Sequence, residues 1–214
     1  MSFLELVEGP LFLIAAAIFL LGVLWRLFGI IRIGRKKDIS PPKGSAAKGF
    51  VVGNLRHFFP RGIFAKRTMV HIVGGYGFHI GLFVVVFFFT PHIKFLDERI
   101  LGFSWQGLPH WGFIIAAEIT FAGLIMLWVR RISDPVMRLI SDRDDHISTG
   151  LTFLVLLTGC LALQESHDAL RATHMAFVNI WLIYFPFSRL MHAFTFVLSR
   201  GHSGATYGRK GINL

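Results

Sequence analysis

Five apolar stretches run through the chain, at about residues 11–31, 68–90, 108–129, 147–163 and 172–198, and none holds more than one Lys, Arg, Asp or Glu. A bilayer's hydrocarbon core is about 30 Å thick and is crossed by roughly 20 helical residues. Inside it no backbone N–H or C=O finds water, so a lone apolar stretch has one solution, the α-helix. The composition agrees, since 54% hydrophobic residues and 23 Phe in 214 residues are too apolar for a soluble domain of that size. The expected fold is all-α: an integral membrane five-helix bundle forming a single domain over residues 1–214. Glu5 and Glu8, with no basic residue, precede the first apolar run, so it reads as a spanning helix rather than a signal peptide. Cys160, the single cysteine, lies in an apolar run as a small packing residue. It excludes an internal disulfide, a Cys-ligated zinc site and an iron–sulfur cluster within this chain.

The net charge of +10 would suit nucleic acid, but the basic residues fall in the loops between apolar runs. The loops at 32–67 and 130–145 and the tail after 198 hold seventeen Lys and Arg, while the loops on the other side hold three. The positive-inside rule then places the N-terminus outside and the C-terminus in the cytoplasm. Pro41, Pro42 and Gly44 break the long basic loop, which is expected to be solvated, with a short amphipathic piece near 55–64 on the membrane surface.

Of ten histidines, His57, His92, His110, His146, His167 and His202 lie in loops or at span ends. His71, His79, His174 and His192 lie inside spans, on only the second and fifth. An imidazole there costs free energy without a partner and is a functional hypothesis by default. His174 and His192 are 18 residues apart. In a continuous helix that is five turns, so both rings leave one face, roughly 27 Å apart. The second and fifth spans run in opposite directions, which pairs His71 with His192 and His79 with His174. One explanation is hydrogen bonding between neighbouring helices. The sharper one is haem, which needs only two axial ligands, whereas structural zinc gathers four at one point. With no Cys-x-x-Cys-His, any haem is non-covalent and of the b type. Arg189, three residues before His192, either meets a haem propionate or snorkels to the surface. Gly74, Gly75, Gly77 and Gly81 either bring two helices together or leave room for a macrocycle.

The run Phe185 to His192, FPFSRLMH, with a second histidine 18 residues earlier, closely resembles the fifth helix of the gamma subunit of respiratory nitrate reductase. The paired histidines of the second span, its Thr90-Pro91-His92 ending, the five-span topology and the length are similar too. The wider group includes the membrane cytochromes of heterodisulfide reductase and of the sulfite-reduction-associated complex. The resemblance implies a dihaem b-type cytochrome in a bacterial or archaeal cytoplasmic membrane, exchanging electrons with quinol. It also implies a cytoplasmic iron–sulfur partner subunit and a catalytic subunit. By motif position His192 is the inner-haem ligand and His174 the outer, with His71 and His79 as their second-span partners. The family places those partners ten residues apart, whereas here they are eight apart. In an alternative register His79 serves the inner haem, and the outer is lost or re-ligated, for instance by His92.

Quinol oxidation releases two protons, and by analogy the site lies near the outer haem. Glu118 is the only carboxylate inside a span; it either relays those protons or is a hydrogen-bonded structural group. His110, Lys94 and Asp97 are weaker candidates for an entrance. Two other functions stay open beside the dihaem reading: a monohaem cytochrome b of a heterodisulfide-reductase-like complex, and a non-haem transporter using histidines as a proton relay. A transporter is expected to show repeats or broken spans.

Overall fold

A computed structural model describes residues 1–34, 38–58, 68–163 and 167–212. All regular structure among the described residues is helical. In chain order the helices are α1 (Phe3–Glu8), α2 (Pro10–Ile33), α3 (Ala46–Phe58), α4 (Met69–Phe88) and α5 (Thr90–Leu96). A π-helical turn (Asp97–Leu101) precedes α6 (His110–Ser133), α7 (Pro135–Ile140), α8 (Arg143–Leu161) and α9 (Asp168–Tyr184). Two 3-10 turns, Phe185–Phe187 and Arg189–Met191, lead into α10 (His192–Arg209).

Three segments are long and apolar enough to cross a membrane: Phe3–Ile33, Met69–Phe88 and His110–Ser133. A fourth qualifies if Asp168–Phe187 and Arg189–Arg209, bent by 73°, are one span. Helix α8 covers the fourth apolar stretch, but its first turn is Arg143-Asp144-Asp145, capped by Asp142. That charged turn dilutes a short apolar segment.

The fifth stretch departs from expectation, because the helix anticipated over 172–198 is not continuous. Pro186 has no N–H to donate and its ring collides with the preceding turn. Helix α9 therefore ends at Tyr184. Ser188 is extended at φ −118°, ψ 178°, and its hydroxyl accepts from Leu190 N–H to start the chain turning again. The five-turn arithmetic that set His174 and His192 on one face does not survive this break.

The chain divides into two compact units, Met1–Ala65 with Val178–Leu214, and Lys66–Phe177. In the first, Gly22 of α2 meets the break directly: a β-carbon there would stand 2.6 Å from Pro186 Cγ. Phe19, Phe185 and Phe194 form an edge-to-face cluster around it, with Phe19 and Phe185 centroids 5.1 Å apart. Asn179, fully buried, donates to the Val7 carbonyl at 2.8 Å, beside the Gly9-Pro10 break between α1 and α2. Val7 thus lies level with Asn179 and Gly22 with Pro186, so these segments run parallel. Helices α3 and α10 run antiparallel in backbone contact, Gly49 and Gly53 against Gly204 and Gly208. Of the amphipathic piece expected at 55–64, residues 55–58 form the last turn of α3, and 59–64 lie outside the described residues.

In the second unit α4 and α6 pack antiparallel through small residues. A β-carbon on Gly81 would meet the Ala116 carbonyl at 3.0 Å, and one on Gly123 would meet the Gly74 carbonyl at 2.7 Å. Close approach of this kind replaces hydrophobic burial as the adhesive between helices in lipid. Within the glycine cluster Gly74, Gly77 and Gly81 face α6, while Gly75 faces open space. At the Arg131 end of α6, Arg131 pairs with buried Asp145 at 3.2 Å and ties α6 to the start of α8.

Candidate functional site

The opposite end of the second unit holds the densest arrangement of histidine chemistry. Helix α4 stops at Phe88 because Phe89 is extended (φ −85°, ψ 125°) and Pro91 opens α5 without an N–H. The last carbonyls of a helix lack intrahelical donors, and here three are supplied from downstream. His92 Nδ1 lies 2.9 Å from the Val85 carbonyl, Trp105 Nε1 donates to Phe87 at 2.6 Å, and Leu108 N–H to Phe88 at 2.8 Å. The break thus brings His92 back over the end of α4. Burial pushes the His92 imidazole below the ordinary histidine value, opposed by its bonds to the Val85 and Val86 carbonyls. Phe89 stacks on Phe113, centroids 4.0 Å apart, and sets its edge against the His92 ring at 5.3 Å.

Across from His92 stands His174 of α9. Their ring centroids are 6.2 Å apart and their planes 20° from parallel. Thr158 of α8 lies 3.3 Å from His174 Nδ1, while its own hydroxyl donates to the Leu154 carbonyl at 2.7 Å. Gly159 completes the seat, since a β-carbon there would stand 3.1 Å from His174 Cε1.

These hydrogen bonds assign tautomers. A carbonyl only accepts, so a ring whose Nδ1 faces one carries its proton on Nδ1 and its lone pair on Nε2. His92 meets that condition at Val85, His79 at the Gly75 carbonyl (2.7 Å) and His192 at the Arg189 carbonyl (2.7 Å). His174 meets it through Thr158, whose proton is already committed to Leu154. A metal-binding histidine is normally oriented in this way, with one nitrogen anchored and the other basic. His57 of α3 makes the same bond to Gly53, so the anchor alone does not define a ligand.

The other residues singled out in the sequence are more dispersed. His71 and His79 are exposed on α4, and His192 is exposed at the start of α10. Arg189 is an exposed residue of the second 3-10 turn, and its carbonyl holds the His192 ring. Glu118 stands on the exposed face of α6 among Ile114, Ile115 and Ile119, which are exposed as well. The partner brought to His174 is His92, which the sequence presents as a solvated loop histidine. The signal for it was the Pro91 break one residue earlier. Among the described residues no three His, Cys, Asp or Glu side chains gather as a metal site. A haem asks for only two axial donors, and His92 with His174 are a chemically suitable pair.

No protein-family model matches the chain. It is similar to a protein of Nitratidesulfovibrio vulgaris (strain Hildenborough), described simply as a protein, with 28% identity over 209 residues. The match covers 94% of this chain and 92% of that one.

Proposed function

We propose that the chain is a cytochrome b: the five-span membrane subunit of a respiratory oxidoreductase, passing electrons between membrane quinol and a cytoplasmic iron–sulfur partner. What supports this reading is the FPFSRLMH run with a second histidine 18 residues earlier, and four histidines inside two apolar stretches. His79, His92, His174 and His192 each have Nδ1 beside an oxygen of the chain, an orientation common to metal-binding histidines and shared here by His57. A haem b held between two such histidines supplies a one-electron carrier inside the membrane. The four histidines suffice for two haems, and Arg189 is the cation suited to a propionate. Glu118, exposed on α6 among Ile114, Ile115 and Ile119, is in this reading the carboxylate that a quinol dissolved in lipid meets. Its carboxylate is the group assigned to accept a proton from the quinol hydroxyl. With the N-terminus outside and the basic loops inside, electrons leave towards the cytoplasmic partner.

The test is the haem-to-protein ratio of the purified chain, with a dithionite-reduced minus oxidised spectrum. Two b-type haems are expected. His192→Ala and His174→Ala should each lose one of them, and His192→Ala should also stop electron delivery to the partner. A folded protein, produced with haem supplied, that binds none would refute the reading and promote a histidine proton relay.

A further inference from the structure

We infer that α3 and α10 form a two-helix paddle that lies in the plane of the bilayer surface and binds the phosphate groups of anionic lipids. The inference is independent of the cytochrome reading and concerns the first unit alone. Helix α10 leaves the preceding apolar segment at 73°, close to the right angle that carries a chain from the bilayer normal into its plane. Helix α3 lies antiparallel along α10, in contact through Gly49 and Gly53, and so takes the same inclination. The two helices present different chemistry on their outer faces. Two residues on from each contact glycine the helix has turned by about 200°, which sets Val51 and Leu55 away from α10. With Ala47 and Phe58 they form one apolar stripe at i, i+4, i+8 and i+11. Val51 and Leu55 keep 55% and 58% of their area exposed. On α10 the side turned away from α3 carries Ser199, Ser203 and Lys210, all exposed. The pair is apolar on one surface and polar on the other, as an interfacial element is and a span is not.

Charge decides what the apolar surface meets. Among the described residues of 38–58 and 192–212, Lys43, Lys48, Arg56, Arg200, Arg209 and Lys210 stand against one carboxylate, Asp38, which is already paired with Arg209. Lys48, three residues before Val51, flanks the stripe. At the other end of the stripe Arg200 lies 5.3 Å from the ring centroids of both Phe58 and Phe196. The two rings attract the guanidinium charge while using none of its N–H donors, which suit a phosphate bidentately. A nucleic acid would satisfy the cations and leave the stripe in water, and a neutral lipid would do the reverse. An anionic bilayer interface satisfies both.

The test uses the full chain with Cys160 replaced by Ser, spin-labelled through Val51→Cys or Ser203→Cys, in nanodiscs of phosphatidylcholine alone or in equal mixture with phosphatidylglycerol. Collision with oxygen, which partitions into lipid, and with a water-soluble nickel chelate reports where each label sits. In the mixed nanodiscs the Val51 label should meet oxygen at a depth of about 5–10 Å, and the Ser203 label should meet nickel. Without phosphatidylglycerol, or in high salt, the Val51 label should move towards water. Each basic residue beside an anionic surface strengthens attachment roughly fivefold, so Lys48→Gln with Arg200→Gln should lower the ratio of lipid- to water-exposed label about 25-fold. Lys48→Gln alone, at an exposed site, should lower it roughly fivefold and serves if loss of Arg200 unfolds the pair, which circular dichroism and the Ser203 label report. A Val51 label reached by nickel in the mixed nanodiscs would overturn the proposal and leave the stripe to a protein partner. A label shielded from both reagents would place the stripe against protein and overturn it too. Equal oxygen exposure with and without phosphatidylglycerol would overturn the role given to anionic headgroups.

Discussion

Two neighbouring glycines on α4 should respond in opposite directions to the same substitution. Gly81 packs against α6, and a β-carbon there would stand 3.0 Å from the Ala116 carbonyl oxygen and 3.2 Å from Thr120 N, with Thr120 Oγ1 closer still. None of these atoms yields easily, because two are backbone and Thr120 Oγ1 is bonded to the Ala116 carbonyl at 2.6 Å. The helices must part by several tenths of an ångström along their seam, an overpacking cost of about 1–3 kcal/mol. Alanine regains about 1 kcal/mol over glycine inside a helix, so Gly81→Ala should destabilise by up to about 2 kcal/mol. At Gly75 a β-carbon meets nothing within 4 Å. Gly75→Ala should therefore be neutral or stabilising by up to about 1 kcal/mol. The two variants differ by roughly 2 kcal/mol, about a thirtyfold ratio in the unfolding equilibrium. Titrating the protein with sodium dodecyl sulfate in mixed micelles, with circular dichroism as readout, measures the difference. Coincident unfolding curves for Gly81→Ala and Gly75→Ala would refute the close-packed α4–α6 seam.

The bend at Pro186 gives a distance prediction. With Cys160 replaced by Ser, spin labels on the exposed Ile180 and Ser203 sit on arms of about 11 Å and about 21 Å, which at the 73° bend leaves their backbones about 26 Å apart. Pro186→Ala restores a donor for the Leu182 carbonyl and should lengthen the distance towards about 34 Å, the straight-helix value; an unchanged distance would mean that packing, not proline, sets the bend. Near the other end of α10, Asp38 pairs with Arg209 at 3.7 Å, and the Ser40 hydroxyl and amide hold its carboxyl below the ordinary 3.8. A depressed carboxylate contributes stability above its unfolded value and loses it only as pH falls through the folded one. Hydrogen exchange at residues 40–44, corrected for its intrinsic pH dependence, should show the same protection at about pH 5 and about pH 8, and Asp38→Asn should lower it at both.

Helical class, and the segments long and apolar enough to cross a membrane, were readable residue by residue. Insertion depends on each segment's own transfer free energy, and in lipid only a helix satisfies its own backbone. Segments 11–31, 68–90 and 108–129 accordingly agree with α2, α4 and α6 to within a few residues. The fourth and fifth stretches were less legible. The apolar count did not weigh the charged Arg143-Asp144-Asp145 turn that opens α8, and it ran across Pro186 as though apolarity guaranteed continuity.

The histidines divide along the same line. Their placement in apolar surroundings, and the need for partners that follows, came from position in the chain alone. Which ring stands beside which did not. His92 reaches His174 because α4 ends at Phe88, two residues before the end of the apolar run, and because an imidazole can satisfy a carbonyl that the broken helix leaves bare. Hydropathy is a sum over neighbours in sequence, so it identifies the segments that leave water. The contact between two rings 82 residues apart depends on turns, caps and glycine clearances that act together only once the chain has packed.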